Sequence, residues 1–208
     1  MRVIERTFSA LRDNLDFDDR VLDDAERDGI ASLRFWEPRT YAVSLGRSSR
    51  ESGFVLPTER RSTGGGTVVL GPGCLCFSLA LPVESYPALR DVRDSYCSIL
   101  GSIGAALGLD SVTVSGSSDL AWNGRKFSGN AQRRTRHALL HHGTVLYAFD
   151  LALITAALPE PDRQPEYRAR RPHAEFLTNV PRTVAAIRAA IEEASLRHFQ
   201  GPSCARSG

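Results

Sequence analysis

The sequence predicts an α+β fold built on a mostly antiparallel sheet packed with helices. Three observations carry that expectation: an amphipathic helical pattern opens the chain, several short hairpin-connected strands follow, and only one apolar helix interrupts them before a last helix. A doubly wound parallel sheet would alternate strand and helix throughout, and this chain does not.

Taken in order, NLDFDDRVLDDAERD (14–28) places Leu15, Val21, Leu22 and Ala25 near helical spacing with acids between them, and Gly29 follows as a C-cap. SLRFWEP and TYAVSLGR read as two short strands around the Glu37-Pro38 turn, the second ending at Gly46. RRSTGGGTVVLGPGCLCFSLALP opens with a three-glycine loop, turns at Gly71-Pro72-Gly73 and continues as an alternating strand to Pro82. From 87 to 109 the spacing of Leu89, Val92, Tyr96, Ile99, Leu100, Ile103 and Leu107 predicts a core-facing helix with proline at its start. Strands VTV, DLAW and ALLHHGTVLYAF come next, with the Asn123-Gly124 pair as a tight hairpin turn. A short helix starts near Asp150, residues 159 to 172 form a loop, and TVAAIRAAIEEASLRHF is the last helix. One domain over residues 1–200 with a frayed tail at 201–208 fits this order.

Composition narrows the function classes. Apolar residues are 42% and charged residues 24% of 208, and no run approaches the ~20 apolar residues of a membrane span. The N-terminus has no secretory apolar stretch, so a cytoplasmic protein is expected. Cys74, Cys76, Cys97 and Cys204 lack C-x-x-C spacing, which argues against a zinc site or a disulfide framework. A net charge of +2 speaks against a nucleic-acid binder, although Arg133, Arg134 and Arg136, and later Arg168, Arg170 and Arg171, form clusters suited to an acidic partner or a phosphate. Of 26 basic residues, 25 are arginine and one, Lys126, is lysine. Lysine is a slim point charge that reaches a single oxygen, where arginine presents a wide fork.

Three constellations could carry chemistry. Arg60-Arg61-Ser62-Thr63-Gly64-Gly65-Gly66 combines main chain free of side chains with two cations, as an anion-binding loop requires; it is neither a Walker nor a Rossmann glycine pattern. Asp119 through Gln132 (DLAWNGRKFSGNAQ) brings an acid, the Asn-Gly turn, Arg125 and Lys126 together across a hairpin. In His141-His142-Gly143-Thr144, adjacent histidines point to opposite faces of a strand and cannot share a metal; His141 reads as structural and His142 as a pocket residue.

In this order and spacing, R-R-S-T-G-G-G-T-V, C-F-S-L, D-L-x-x-N-G-R-K-F-S-G-N-A-Q and H-H-G-T-V-L resemble the lipoate-protein ligase family, and NLDFDDRVLDDA and LRFWEPRTYAVSLGR resemble its opening helix and first strands. The resemblance covers roughly residues 10 to 190. It implies a biotin/lipoate ligase fold related to class II aminoacyl-tRNA synthetases. It also implies a reaction in which lipoate or octanoate and Mg-ATP give an acyl-adenylate, whose acyl group passes to a lysine of a lipoyl-domain protein. On that basis Arg61, Thr63, Gly64, Gly65 and Gly66 belong to the acyl and phosphate loop, and Lys126 holds the acyl carbonyl and the adenylate phosphate. Ser128, Gly129 and Gln132 extend that wall, His142, Gly143 and Thr144 line the acyl pocket, and Asp119 helps hold magnesium with ATP.

The chain departs from the pattern where many ligases have a His-Asp pair, here Leu70 and Gly71, and an Asn before the aspartate, here Ser118. Only nine residues follow Phe199, against the C-terminal accessory domain of many ligases, and a separate accessory subunit could supply the missing piece. Two other readings stay open. One is an acyl transferase with a thioester donor and a cysteine nucleophile, but relatives of that kind place the cysteine after the H-G motif and 145–203 has none. The other is a non-catalytic lipoyl-binding protein, against which Lys126 and R-R-x-T-G-G-G weigh.

Overall fold

Strand β6 (Cys74–Pro82) is the spine of the molecule, because every residue of it except Pro82 is buried. The computed structural model describes residues 1–50 and 53–199. The expected tail at 201–208 and Cys204 lie outside them.

Around β6 a seven-stranded sheet forms in the order β1-β2-β6-β10-β9-β8-β7. Its members are β1 (Arg2–Glu5), β2 (Ser32–Trp36), β7 (Val112–Ser115), β8 (Asp119–Trp122), β9 (Arg125–Arg134) and β10 (Ala138–Leu146). All pairs are antiparallel apart from β1 with β2. A second sheet of three strands has β3 (Ala42–Leu45) between β4 (Thr58–Arg60) and β5 (Val68–Leu70). The α+β expectation holds. Strands β1 and β4 were not expected, since RVIE and TER are too short and polar to show a period.

One face of the large sheet packs on helices α2 (Val92–Ala106) and α5 (Val184–His198), with Phe35, Leu75, Phe77 and Val145 meeting Ile99, Ile103, Ile187 and Ile191. On the other face lies α1 (Leu11–Asp28), whose Val21, Leu22 and Ala25 sit on Ala80, Ala138 and Leu140. Small side chains there let the helix approach closely. Beside α1, the small sheet and α3 (Leu151–Ala157) close over Trp36, Cys74, Cys76 and Leu146. Layers on both faces are why residues 74–81 are all buried, where alternation predicted one wet face.

Most boundaries follow from caps. Gly29 ends α1 in the left-handed conformation (φ 66°), Asp91 caps α2 through Arg93 N and Asp94 N, Asp150 caps α3, and Thr183 caps α5. The helix expected from Pro87 begins instead at Val92, after a 3₁₀ turn over Pro87–Leu89. Val92, expected in the core, is 53% exposed, because at the first turn its side chain still faces outward. Asn123 (φ 50°) and Gly124 (φ 72°) make the predicted hairpin turn between β8 and β9. Among the described residues no helix is long and apolar enough to cross a membrane.

His141 of β10 is fully buried against Phe77 and Tyr96, and burial holds its imidazole at a pKa of about 3. Gln132 Nε2 donates to its Nδ1 at 3.1 Å, so Nε2 carries the proton toward Asn130 Oδ1 at 3.3 Å. The structural role expected of this residue is what its surroundings show. Since the unfolded chain binds this proton more tightly, the neutral imidazole's contribution to stability is complete above about pH 6.5. It is lost as pH falls toward 3, at up to about 1.4 kcal/mol per pH unit. Urea unfolding from pH 7 to pH 5 should show that decline, and His141→Asn should show a shallower one; an equal slope in the variant contradicts the assignment.

Candidate functional site

The β8–β9 hairpin sets the site. Its pairing runs Asp119↔Gly129, Leu120↔Ser128, Ala121↔Lys126, leaving Phe127 without a partner. This bulge turns Phe127 and Ser128 toward one face: Phe127 is in the α2/α5 core, and Ser128 pairs with Leu120 and Val145 of that core. Lys126 and Gly129 then share the other face with Asp119.

There Lys126 Nζ lies 2.7 Å from Asp119 Oδ1. A Cβ on Gly129 would stand 2.9 Å from that Nζ and 3.0 Å from Cε, so the amine occupies the place of a missing side chain. Tyr167 donates its hydroxyl to Asp119 Oδ2 at 2.7 Å, and burial together with this carboxylate pushes the phenol's pKa up. Arg171 and Arg125 staple the hairpin to α4 (His173–Phe176) and its flanks, through Gly124 O, Ala174 O and Leu177 O. Thr178 N donates to Lys126 O at 2.9 Å.

Across the sheet, paired residues make one row on this face: Trp36, Cys76, Thr144, Gly129 and Asp119, one from each of β2, β6, β10, β9 and β8. The row floors a groove of about 690 Å³, within the range of small-molecule sites. Its lining combines polar groups, among them Asp18, Arg61, Asp119, Lys126 and His142, with apolar ones including Leu15, Val68, Leu146 and Ile154.

The glycine loop forms the roof. Arg61, 7% exposed, donates to Gly64 O and Gly66 O (both 2.7 Å), Ser44 O (3.0 Å) and Thr63 Oγ1 (3.0 Å), and burial lowers its pKa to about 10. It therefore shapes the loop with its own cation. With both carbonyls turned toward Arg61, the planar peptides point the N–H groups of Gly65 and Thr67 away from it, and both residues line the groove. Thr63 is buried beneath and meets His142 Nε2 at 2.7 Å, while His142 Nδ1 faces Asp18 Oδ2 at 3.4 Å. Asp18 in turn accepts from the fully buried Arg34 at 2.5 Å.

Of the residues singled out from sequence, Arg61, Gly65, Gly66, Asp119, Lys126, Gly129, His142 and Thr144 meet at the groove. Ser128 and Gly143 border it with main chain only: Ser128 Oγ accepts from Asn130 Nδ2 on the reverse face, where Asn130 also fills the space behind Gly143. Gly64 and Thr63 stand behind the wall. Gln132 corrects the expectation, since it bonds His141 and Ser95 on the α2 side of the sheet. Asp119 is the counter-ion of Lys126, and both its oxygens have protein donors. Among the described residues no group of three or more His, Cys, Asp or Glu is placed to hold a metal. Cys76 lines the groove, but burial pushes its thiol well above the usual range. Sequence reasoning missed Tyr167, Asp18 and Trp36; the first lies in an aperiodic loop, and the others read as ordinary helix and strand positions.

Residues 10–200 match the family described as the lipoyl protein ligase A/B catalytic domain. The chain belongs to that family. It is similar to a probable lipoate-protein ligase A of Mycoplasma pneumoniae, 32% identical over 141 residues that cover 62% of this chain and 40% of the relative. It is also similar to an octanoyl-GcvH:protein N-octanoyltransferase of Kyrpidia tusciae, 33% identical over 112 residues covering 46% of this chain and 39% of the relative. The chain thus spans about two fifths of each. Its fold is that of a solved bi-partite lipoate protein ligase of Thermoplasma acidophilum, described with its E2 lipoyl domain (TM-score 0.79, 22% identity, 95% of this chain and 82% of that one). The ligase-like fold expected from the motifs is therefore present.

Because the chain has one lysine, labelling with [13C]lysine isolates the Lys126 side chain. Gly129→Ala should displace its Cε resonance toward that of a free lysine while costing no more than about 1 kcal/mol of stability, since only a flexible side-chain end must move. An unmoved resonance contradicts the close fit.

Proposed function

We propose that this chain joins lipoate or octanoate to a lysine of a lipoyl-domain protein through an acyl-adenylate formed with ATP. The observation that carries the reading is the only lysine of the chain, held by Asp119 over Gly129 in a groove that also offers apolar walls such as Leu15, Val68, Leu146 and Ile154. A fatty carboxylate fits that polarity, its tail along the row of strands and its head at the amine.

In the first step a carboxylate oxygen attacks the α-phosphorus of ATP, forming the mixed anhydride and releasing pyrophosphate. Loop amides and the groove-lining Arg50 and Arg163 supply positive potential for phosphate. Magnesium would travel with the triphosphate, as it commonly does, without a preformed protein cage. In the second step the acceptor's lysine amine attacks the acyl carbonyl and AMP leaves. Lys126, exchanging Asp119 for the ligand, meets the negative charge that grows on the carbonyl oxygen and the departing phosphate, an effect often worth several kcal/mol in a site shielded from water.

The bi-partite Thermoplasma ligase supports a separate accessory subunit for the activation step, and the Mycoplasma relative supports ligase chemistry. The Kyrpidia relative favours a second reading, transfer from an acyl donor without ATP. A cysteine nucleophile for it is hard to find at this groove: Cys76 is held as the thiol, and Cys74 is buried beside it in the apolar core.

Purified protein incubated with an apo lipoyl domain and either lipoate plus Mg-ATP, or an octanoyl carrier-protein thioester, decides between them by acceptor mass. The expected result is a lipoyl mass gain in the first mixture, with or without cell lysate, retained by Cys76→Ser. Modification from the thioester alone overturns the ligase reading, and none from either favours a lipoyl-binding protein.

A further inference from the structure

Lys126 carries the only lysine amine of the chain, and that amine sits in the groove. The arginines that line the groove with it, Arg50, Arg61, Arg163 and Arg168, present guanidinium groups, which keep their charge and are not nucleophiles. A lysine differs: once it has lost its proton, acylating agents capture it. The immediate partner of Lys126 Nζ is Asp119 Oδ1 at 2.7 Å, and Tyr167 donates its hydroxyl to the other carboxylate oxygen, also at 2.7 Å.

An acyl-adenylate in this groove would set an electrophilic carbonyl beside that amine, and groups held about 3.5 Å apart need little more than the right protonation state to react. An ammonium has three donors and no lone pair, so it polarises the carbonyl without attacking it. Loss of one proton would change the outcome. Nζ would bond to the acyl carbon, the bond from that carbon to the phosphate oxygen would break, AMP would leave with its electron pair, and a second proton would pass from nitrogen to solvent. The product is an amide that caps Lys126. Exposure to this side reaction is longest while the adenylate waits for its acceptor.

We propose that Asp119, held by Tyr167, guards Lys126 against self-acylation: its negative charge keeps the proton on Nζ, so that the acyl group waits for the lysine of the acceptor. This rests on the acyl-adenylate reading of the groove. A carboxylate favours the charged form of a neighbouring amine out to about 4–6 Å, so the guard persists after the amine has turned from Asp119 Oδ1 to the ligand. Tyr167 has a specific part in this. Bonded to the second oxygen, it keeps the carboxylate turned toward the amine.

Synthetic lipoyl-adenylate supplied to the purified chain without an acceptor tests this, because a lysine-specific protease cuts the denatured chain only after Lys126 and an amide there blocks the cut. The unmodified chain should stay cleavable. Asp119→Asn, which keeps the shape and removes the charge, should gain one lipoyl group that resists hydroxylamine and should lose the cut, at least about tenfold faster than the unmodified chain. Tyr167→Phe should do the same at an intermediate rate, and it carries the test where Asp119→Asn fails to fold. Cleavage retained in the folded variants, equal rates in all three chains, or an acyl group that hydroxylamine removes would overturn the proposal. A parallel mixture of the unmodified chain, the adenylate and an apo lipoyl domain separates the two claims. Transfer there, with the variants uncapped, overturns the guard alone; no transfer overturns the acyl-adenylate reading and the guard with it.

Discussion

Lys126 stands where it does because β9 is bulged at Phe127 and carries no side chain at Gly129. Without the bulge, Lys126 and Gly129, three residues apart, would face opposite sides of the sheet. With any larger residue at 129 the amine would lose its seat. The resulting ion pair is partly wet, its side chains 26% and 9% exposed, and such a pair contributes about 1 kcal/mol or less. A weak counter-ion suits the partner exchange that the proposed reaction asks of this lysine. Tyr167 donates to Asp119 and so ties the loop after α3 to the ion pair.

The glycine loop needs the opposite property, rigidity. Arg61 satisfies two loop carbonyls with one guanidinium nitrogen, and Thr63, His142, Asp18 and Arg34 extend the polar chain through the protein to β2. Burying charges is expensive unless each finds partners, and here Arg34 donates to Asp18, Asn14 and Arg6 O while stacking near Phe17. The arginines that sequence suggested as ligand clamps thus include one that builds the clamp.

Much of this was legible in the sequence, for reasons that can be named. The Asn123-Gly124 turn, the Gly29 cap and the periodicity of 99–107 have local causes, and the motifs around Lys126 pointed to the family. Gln132 failed for a physical reason: in an unbroken strand 126, 128 and 132 share a face, and only the bulge at Phe127 replaces them with 126, 129 and 131. Nothing in the letters marks that residue as unpaired. Likewise the dryness of both faces of β6 comes from α1 and the small sheet, which no window along 74–82 contains.

In the proposed reaction Lys126 is the electrostatic anchor of an activated acyl group. The most direct measurement supplies synthetic lipoyl-adenylate, so that activation is bypassed, and follows single-turnover transfer to an apo lipoyl domain by the unmodified chain and by Lys126→Ala. The account predicts at least a hundredfold slower transfer in the variant, about 2.7 kcal/mol or more of lost transition-state stabilisation, with the fold intact. Transfer by a folded Lys126→Ala chain at close to the original rate would contradict it.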